Sequence, residues 1–255
     1  MPVFIAGAEP AVPHLTCFVS IPDPSLIEVM ASSALDSLVL DMQHGMFDEA
    51  SVLAGIGAAA LHGKPVLVRL PVQAGGLASR MADFGAAGFI CPMVNSAADA
   101  QALVDLVKYP PLGRRSWGPR RALALSGLTA PEYLSRANAR IVLLAMIETK
   151  EALDELDSIL ATPGVDGVFV GPSDLAVSLS AGAQLTHPDV DAALPRTVAA
   201  AHRHGKRAGI FAASTSAARE ALRQGFDIVS VTQDGMLLSG AIANALEAVG
   251  HTERT

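Results

Sequence analysis

The segment SLVLDMQHGMFD, Ser37 to Asp48, runs from an apolar stretch into Asp41, with His44 three residues on and Gly45 beside it. Other polar residues close apolar runs in the same way. Arg69 lies near the end of PVLVRL, Glu148 directly follows IVLLAMI, Asp174 follows GVFV in GPSD, and Gln233 and Asp234 come just after DIVSV. Two carboxylates from separate strands can hold one hard divalent cation through oxygen, leaving positions for water and substrate. No HExxH pattern occurs, and a tight zinc site built from several histidines is not indicated. Mg²⁺, Mn²⁺ or Co²⁺ with few protein ligands suits the residues better. A 2-keto acid would chelate such an ion through its carboxylate and carbonyl oxygens. The ion would act as a Lewis acid, with the enolate charge shared by Arg69. A histidine of tunable pKa, His44, could carry protons directly or through a water.

Each of these residues also has a plainer role open to it. Glu148 could be a first-turn acid favoured by the helix dipole, and Asp174 a capping residue. His44 could be structural, and Asp41 could orient backbone or pair with Arg69. A buried guanidinium needs an anion, from the protein or from a ligand. The lysines (Lys64, Lys108, Lys150 and Lys206) fall before strands or on helices, which argues against a Schiff-base nucleophile.

Short β-branched runs alternate with helical patterns and supply the elements that would position these groups. Strands are expected over Leu15–Ile21, Ser37–Asp41, Pro65–Leu70, Gly88–Cys91, Ile141–Ile147, Asp166–Val170, Arg207–Phe211 and Asp227–Val231. Helices are expected over Asp23–Ser32, Asp48–His62, Ala74–Phe84, Ser96–Lys108, Thr149 to about Leu160, Pro188–His204, Ser214–Gln224 and about Met236–Val249. Several end at a C-cap glycine. Eight βα pairs in 255 residues predict a single (β/α)8 barrel domain over 1–255. A doubly wound sheet would normally carry a Gly-rich phosphate turn after its first strand, and SIPDPS is not one. In a barrel the strand-end residues share one mouth. The segment Tyr109–Gly127, YPPLGRRSWGPRRALALSG, is too long for an ordinary connection.

Hydrophobic residues make up 51% of the chain and charged ones 17%, enough for a large core. The net charge of −7 disfavours a nucleic-acid partner. Cys17 and Cys91 lie in apolar runs, as reduced thiols of a cytoplasmic protein would. The N-terminal MPVFIAGAEPAVP lacks a basic region and does not read as a signal peptide, and no stretch reads as a membrane span.

The chain resembles the HpcH/HpaI aldolases, metal-dependent class II pyruvate aldolases. The resemblance is carried, in order, by LDMQHG, PVLVRLP, DFGAAGFICPMVNSAADA, KYPPLGRRSWG, MIETKEAL, GVDGVFVGPSDLAVSL, HPDV and GKRAGIF. It implies a (β/α)8 fold with Glu148 and Asp174 as metal ligands and His44 as acid/base. Asp41 and Asp83 would orient or polarise His44, and Arg69 would bind the pyruvyl oxygen. Backbone at Gly171, Pro172 and Ser173 would hold the substrate carboxylate, with Phe18 as an aromatic wall. It also implies a homo-oligomer, a hexamer built as a dimer of trimers, with the last helix on a neighbour. Departures are Met146 where the family commonly has glutamine, Gln43 in place of a carboxylate, and VTQDG in place of GVDT.

The expected function is metal-dependent cleavage or formation of 4-hydroxy-2-oxoacids from a 2-keto acid and an aldehyde. Alternatives are a citramalyl- or malyl-CoA-type lyase, to which Arg114, Arg115, Arg120 and Arg121 would offer phosphate contacts, and a non-catalytic metabolite-binding barrel.

Overall fold

Each strand is a run of four to six residues whose side chains must alternate between two environments, because the side-chain period of a strand is two. In the computed structural model, which describes residues 12–72 and 74–251, the strands close into an eight-stranded parallel barrel in the order β1 to β8. They are β1 (His14–Val19), β2 (Ser37–Asp41), β3 (Val66–Arg69), β4 (Gly88–Cys91), β5 (Val142–Ile147), β6 (Gly167–Val170), β7 (Arg207–Phe211) and β8 (Ile228–Gln233). Most of MPVFIAGAEPAVP lies outside the described residues.

The two environments are two separate cores. Phe18, Val39, Leu67, Ile90, Val142, Leu144, Met146, Phe169 and Ile228 fill the barrel interior. Their strand neighbours, such as Leu38, Leu40, Val66, Val68, Leu143 and Ala145, face outward into a larger core shared with the helices. Burying each such side chain stabilises by roughly 1.5–3 kcal/mol.

The outer layer is α1 (Pro24–Ala31), α2 (Glu49–Leu61), α3 (Leu77–Phe84), α4 (Ala97–Val107), α5 (Arg120–Ser126), α6 (Ala130–Arg140), α7 (Lys150–Asp154), α8 (Leu156–Ala161), α9 (Pro172–Leu179), α10 (Pro188–Arg203), α11 (Thr215–Arg223) and α12 (Asp234–Ala248). The helix expected from Thr149 to Leu160 is broken at Glu155, which ends α7 and begins α8. The long Tyr109–Gly127 segment leads into two helices. Neither α5 nor α6 is among the helices expected from the sequence, although Thr129 and Glu132 form a capping box at the start of α6.

The connection from α4 to β5 returns the chain to the N-terminal end of the barrel, so this insertion lies at the floor. Lys108, 1% exposed, ties it down: its Nζ donates to Asp166 Oδ2 and to Asn138 O, each at 2.7 Å, and to Ile141 O. No described helix is long and apolar enough to cross a membrane.

The last helix differs from the others. In α12 only Asp234 is buried, while Met236, Leu237, Leu238, Ile242 and Leu246 are exposed. It therefore stands away from its own barrel and leaves an apolar face uncovered.

Packing inside the barrel is tight where β6 and β7 meet. A Cβ at Gly209 would lie 2.4 Å from Phe169 Cδ2 and 3.0 Å from its Cε2, and Phe169 is fully buried. Gly209→Ala is expected to destabilise the protein by about 1–3 kcal/mol, as overpacked cores do. The urea-unfolding midpoint measures it, and an unchanged midpoint would mean that Phe169 has room to move.

Candidate active site

The alternation that fills the barrel also selects the residues of its mouth. On β2, Val39 points inward, so Asp41 does too. On β3 the inward pair is Leu67 and Arg69, and on β5 Val142, Leu144 and Met146 are followed by Glu148. Asp41 and Arg69 are direct partners in the β2–β3 register.

Asp41, 2% exposed, meets Arg69 in a bidentate ion pair: Nε donates to Oδ1 at 2.9 Å and Nη2 to Oδ2 at 2.6 Å. The backbone N–H groups of Gln43 and His44 also donate to Oδ1, at 3.0 and 3.2 Å. Burial pushes the Asp41 carboxyl up, but the Arg69 bonds and charge and these two N–H groups outweigh it and hold the pKa below its ordinary value. The pair's contribution to stability is therefore present at neutral pH and is lost only as pH falls through the depressed value. The Arg69 guanidinium also lies 5.1 Å from the centroid of the Phe18 ring, which is buried beneath it. Two of its three nitrogens are committed to Asp41, leaving Nη1 for a ligand.

Asp41 also shapes the loop that carries His44. A Cβ at Gly45 would lie 2.3 Å from Asp41 O and 3.0 Å from Ser20 Cα, so the loop can pass here only with glycine. His44 is exposed at the mouth, and its backbone N–H is tied to Asp41.

Glu148 is 2% exposed, and its two oxygens are treated differently. Oε2 accepts a hydrogen bond from the Met93 N–H at 3.0 Å. Oε1 is buried with no partner. Met93 has φ +55°, a conformation that strains a non-glycine residue, and it is held there in the loop that presents its N–H to Glu148. A second tie, Thr149 Oγ1 to Asn95 Oδ1 at 2.6 Å, fixes the same loop. Burial raises the Glu148 pKa. The Met93 bond opposes that shift, and the nearby Asp174 charge adds to it.

Asp174 sits exposed in the first turn of α9, where Gly171 is the N-cap and Pro172 the first helical residue. Gly171 is pressed against the site: a Cβ there would lie 2.9 Å from Glu148 Oε1 and 3.3 Å from Met146 Cε. No side chain caps α9, so its first N–H groups, including that of exposed Ser173, are free for an anion.

Among the described residues no group of three or more His, Cys, Asp or Glu converges on one point. The pair of Glu148 and Asp174 does suit a hard divalent cation. An orphaned carboxylate oxygen and a neighbouring solvent-facing carboxylate repel each other until a positive charge joins them. HxH spacing does occur in His202-Arg203-His204, but Nε2 of His202 goes to Asp227 and that of His204 to Asp157, so the two rings do not share a site.

Not every expected residue reaches the mouth. Asp83 lies in the last turn of α3, which runs down toward the floor. Its Oδ1 takes a 2.6 Å bond from Arg115, so within one chain it is not beside His44. The arginine-rich segment is at the floor with it. Arg115 is buried on Asp83, Arg121 donates to Phe84 O, and Arg114 pairs with Asp105. Lys64, Lys108 and Lys206 are bonded to backbone carbonyls and Lys150 to Asp154, so no lysine serves the interior. Sequence reasoning missed Met93, whose contribution is a backbone N–H that no residue type announces. A cleft of about 400 Å³ near the mouth, lined by Leu70, Cys91, Met93 and Leu103, contains none of the charged groups of the site.

The sequence profile of the HpcH/HpaI aldolase/citrate lyase family matches residues 14–241. A hydroxypyruvate/pyruvate aldolase of Rhizorhabdus wittichii is 39% identical over 231 residues, covering 90% of this chain and 91% of that one. A 5-keto-4-deoxy-D-glucarate aldolase of Klebsiella pneumoniae is 35% identical over 221 residues, covering 87% and 86%. The crystal structure of an HpcH/HpaI aldolase/citrate lyase family protein from Burkholderia cenocepacia superposes with a TM-score of 0.85 at 34% identity, covering 93% and 94%.

The elevated Glu148 pKa carries a stability consequence. Above the ordinary glutamate value of 4.5 the folded protein holds more protons than the unfolded chain, so stability falls as pH rises through that window. Glu148→Gln removes the buried charge. It is expected to raise the thermal midpoint of the metal-free protein at pH 7 and to flatten this pH dependence, as read by calorimetry from pH 4 to 8. A lowered midpoint would mean that the carboxylate is already compensated.

Proposed function

The chain belongs to the HpcH/HpaI aldolase/citrate lyase family and is a carbon–carbon lyase of the aldolase type; from that premise we propose that it joins or cleaves 4-hydroxy-2-oxoacids by way of the enolate of pyruvate or hydroxypyruvate. The observation that carries this reading is the unpartnered Glu148 Oε1 beside Asp174, close enough to Arg69 to feel its charge. The relatives named as hydroxypyruvate/pyruvate aldolases support a pyruvyl donor.

Glu148 and Asp174 would hold a divalent ion such as Mg²⁺, Mn²⁺ or Co²⁺, which when bound supplies Lewis-acid polarisation of the 2-keto group. The free N–H groups at the start of α9, those of Ser173 and Asp174 behind Gly171, orient the substrate carboxylate. Arg69, its plane fixed by Asp41, directs Nη1 at the keto oxygen, where negative charge grows as a methyl proton leaves. His44 takes that proton and returns it to the aldehyde oxygen in the synthetic direction. Phe18 backs the guanidinium, and Met146 places an apolar, polarisable tip under the substrate.

A CoA-thioester lyase draws less support, because the arginine-rich segment that would bind its phosphates lies at the floor, with Arg114, Arg115 and Arg121 engaged there. The uncovered apolar face of α12 supports a homo-oligomer in which a second copy covers it, in keeping with the hexamer that the family resemblance implies. The buried free thiols Cys17 and Cys91 support a reducing, cytoplasmic setting.

The test of the chemistry is exchange of pyruvate methyl protons in D₂O with added metal. Exchange is expected to vanish with EDTA and in Glu148→Ala, and to fall by about 10²–10³ in Arg69→Ala, the range for a lost oxyanion donor. Exchange undiminished by chelation would overturn the reading. For the assembly, Leu238→Glu with Ile242→Glu is expected to lower the mass seen by light scattering; an unchanged mass would remove α12 from the interface.

A further inference from the structure

Asp234 is 1% exposed, at the turn where β8 passes into α12, and no step above uses it. Its carboxylate is saturated with backbone donors. Oδ2 accepts the N–H groups of Ser20 at 2.9 Å and Ile21 at 2.8 Å, and Oδ1 accepts that of Gly235 at 2.8 Å. The first two donors belong to the loop between β1 and α1. That loop braces the His44 segment in turn. Ser20 O accepts the Met46 N–H at 2.9 Å, and the Cα of Ser20 is the surface on which Gly45 rests. A chain of contacts thus runs from Asp234 through Ser20 to Gly45 and Met46, the two residues that follow His44. Such an arrangement needs an acceptor with two oxygens at one buried point. Charge-assisted bonds from backbone N–H groups are the strong kind and hold a loop in one orientation. Asp234 makes no contact with Glu148 or Asp174 in the structure, so the effect runs to one side of the site.

We propose that Asp234 is a positioning residue for proton transfer, holding the β1–α1 loop as the support on which the His44 loop is set. The proposal rests on the reading of His44 as proton carrier. It separates the two halves of the site: proton transfer depends on Asp234, and the metal pair does not.

The test compares wild type, Asp234→Asn, Asp234→Glu and His44→Asn as full-length protein. Three quantities are measured: Mn²⁺ affinity by calorimetry, pyruvate methyl-proton exchange at saturating Mn²⁺, and hydrogen–deuterium exchange of the peptides spanning Ser20–Ile21 and Met46. For Asp234→Asn, Mn²⁺ affinity is expected to stay within twofold of wild type, methyl-proton exchange to fall at least tenfold, and both peptides to lose protection. Asp234→Glu, which keeps the charge, is expected to recover part of the rate, and it decides the matter should the asparagine variant not fold. Methyl-proton exchange within twofold of wild type, unaltered protection of the two peptides, or an equal loss of Mn²⁺ affinity and rate would each overturn the proposal. Wild-type exchange in His44→Asn would instead sink the proton-carrier reading, and the protection data would still judge the latch by itself.

Discussion

A closed parallel barrel gives each strand residue two choices, the interior or the helical layer, and the interior excludes water. Every polar group that the alternation sends inward at the mouth must then find a partner among the other inward groups. Asp41 does so completely and Arg69 with two of its three nitrogens, as register partners on adjacent strands whose bidentate contact leaves Nη1 over. Glu148 does so by half. One oxygen is satisfied by a strained backbone amide, and the other is left facing Asp174. The reactive character of the mouth comes from this uneven settlement: a locked cationic side and an anionic side that lacks a positive charge.

The mouth residues were legible because strand ends are legible. An apolar run that stops at an acid or an arginine marks both the end of a strand and, in a barrel, a place at the C-terminal face. Asp41, Arg69 and Glu148 followed from that pattern, and the period of two explains why they point inward. Asp83 could not be placed in this way. It lies on a helix that runs the other way, and only the bond to Arg115 reveals its company at the floor. The amide of Met93 and the role of Asp234 were equally hidden. The first depends on a backbone conformation, and the second on contacts between residues 214 and 213 positions apart. The start of α6 carries its own signal, since Thr129 and Glu132 have the spacing of a capping box with Pro131 in the first turn, but it follows an irregular arginine-rich segment without helical periodicity.

The two ends of the barrel treat charge differently. At the floor the buried Lys108 ammonium is spent on one carboxylate and two carbonyls and anchors the insertion between α4 and β5, while buried Arg115 gives one nitrogen to Asp83 and keeps Nε and Nη1 unpartnered. At the mouth the Arg69 guanidinium gives two nitrogens to Asp41 and keeps one. The difference is in the partners available. At the floor the ammonium of Lys108 meets Asn138 O, Ile141 O and the Asp166 carboxylate, whereas the mouth offers Arg69 one aspartate that can occupy only part of a guanidinium.

The bond from Asp234 to Ser20 joins the first loop of the barrel to the last turn. As the chain leaves the ribosome, β1 and its loop emerge early and wait for a partner that is made only after seven further strands. Helices and neighbouring strands can form in order of synthesis, but the support beneath His44 cannot. A nascent chain with most of its barrel built would already hold Asp41 and Arg69 together and yet have a loosely held His44 loop. The protein therefore comes into its chemistry late in its own making, when closure of the barrel and ordering of the mouth occur together.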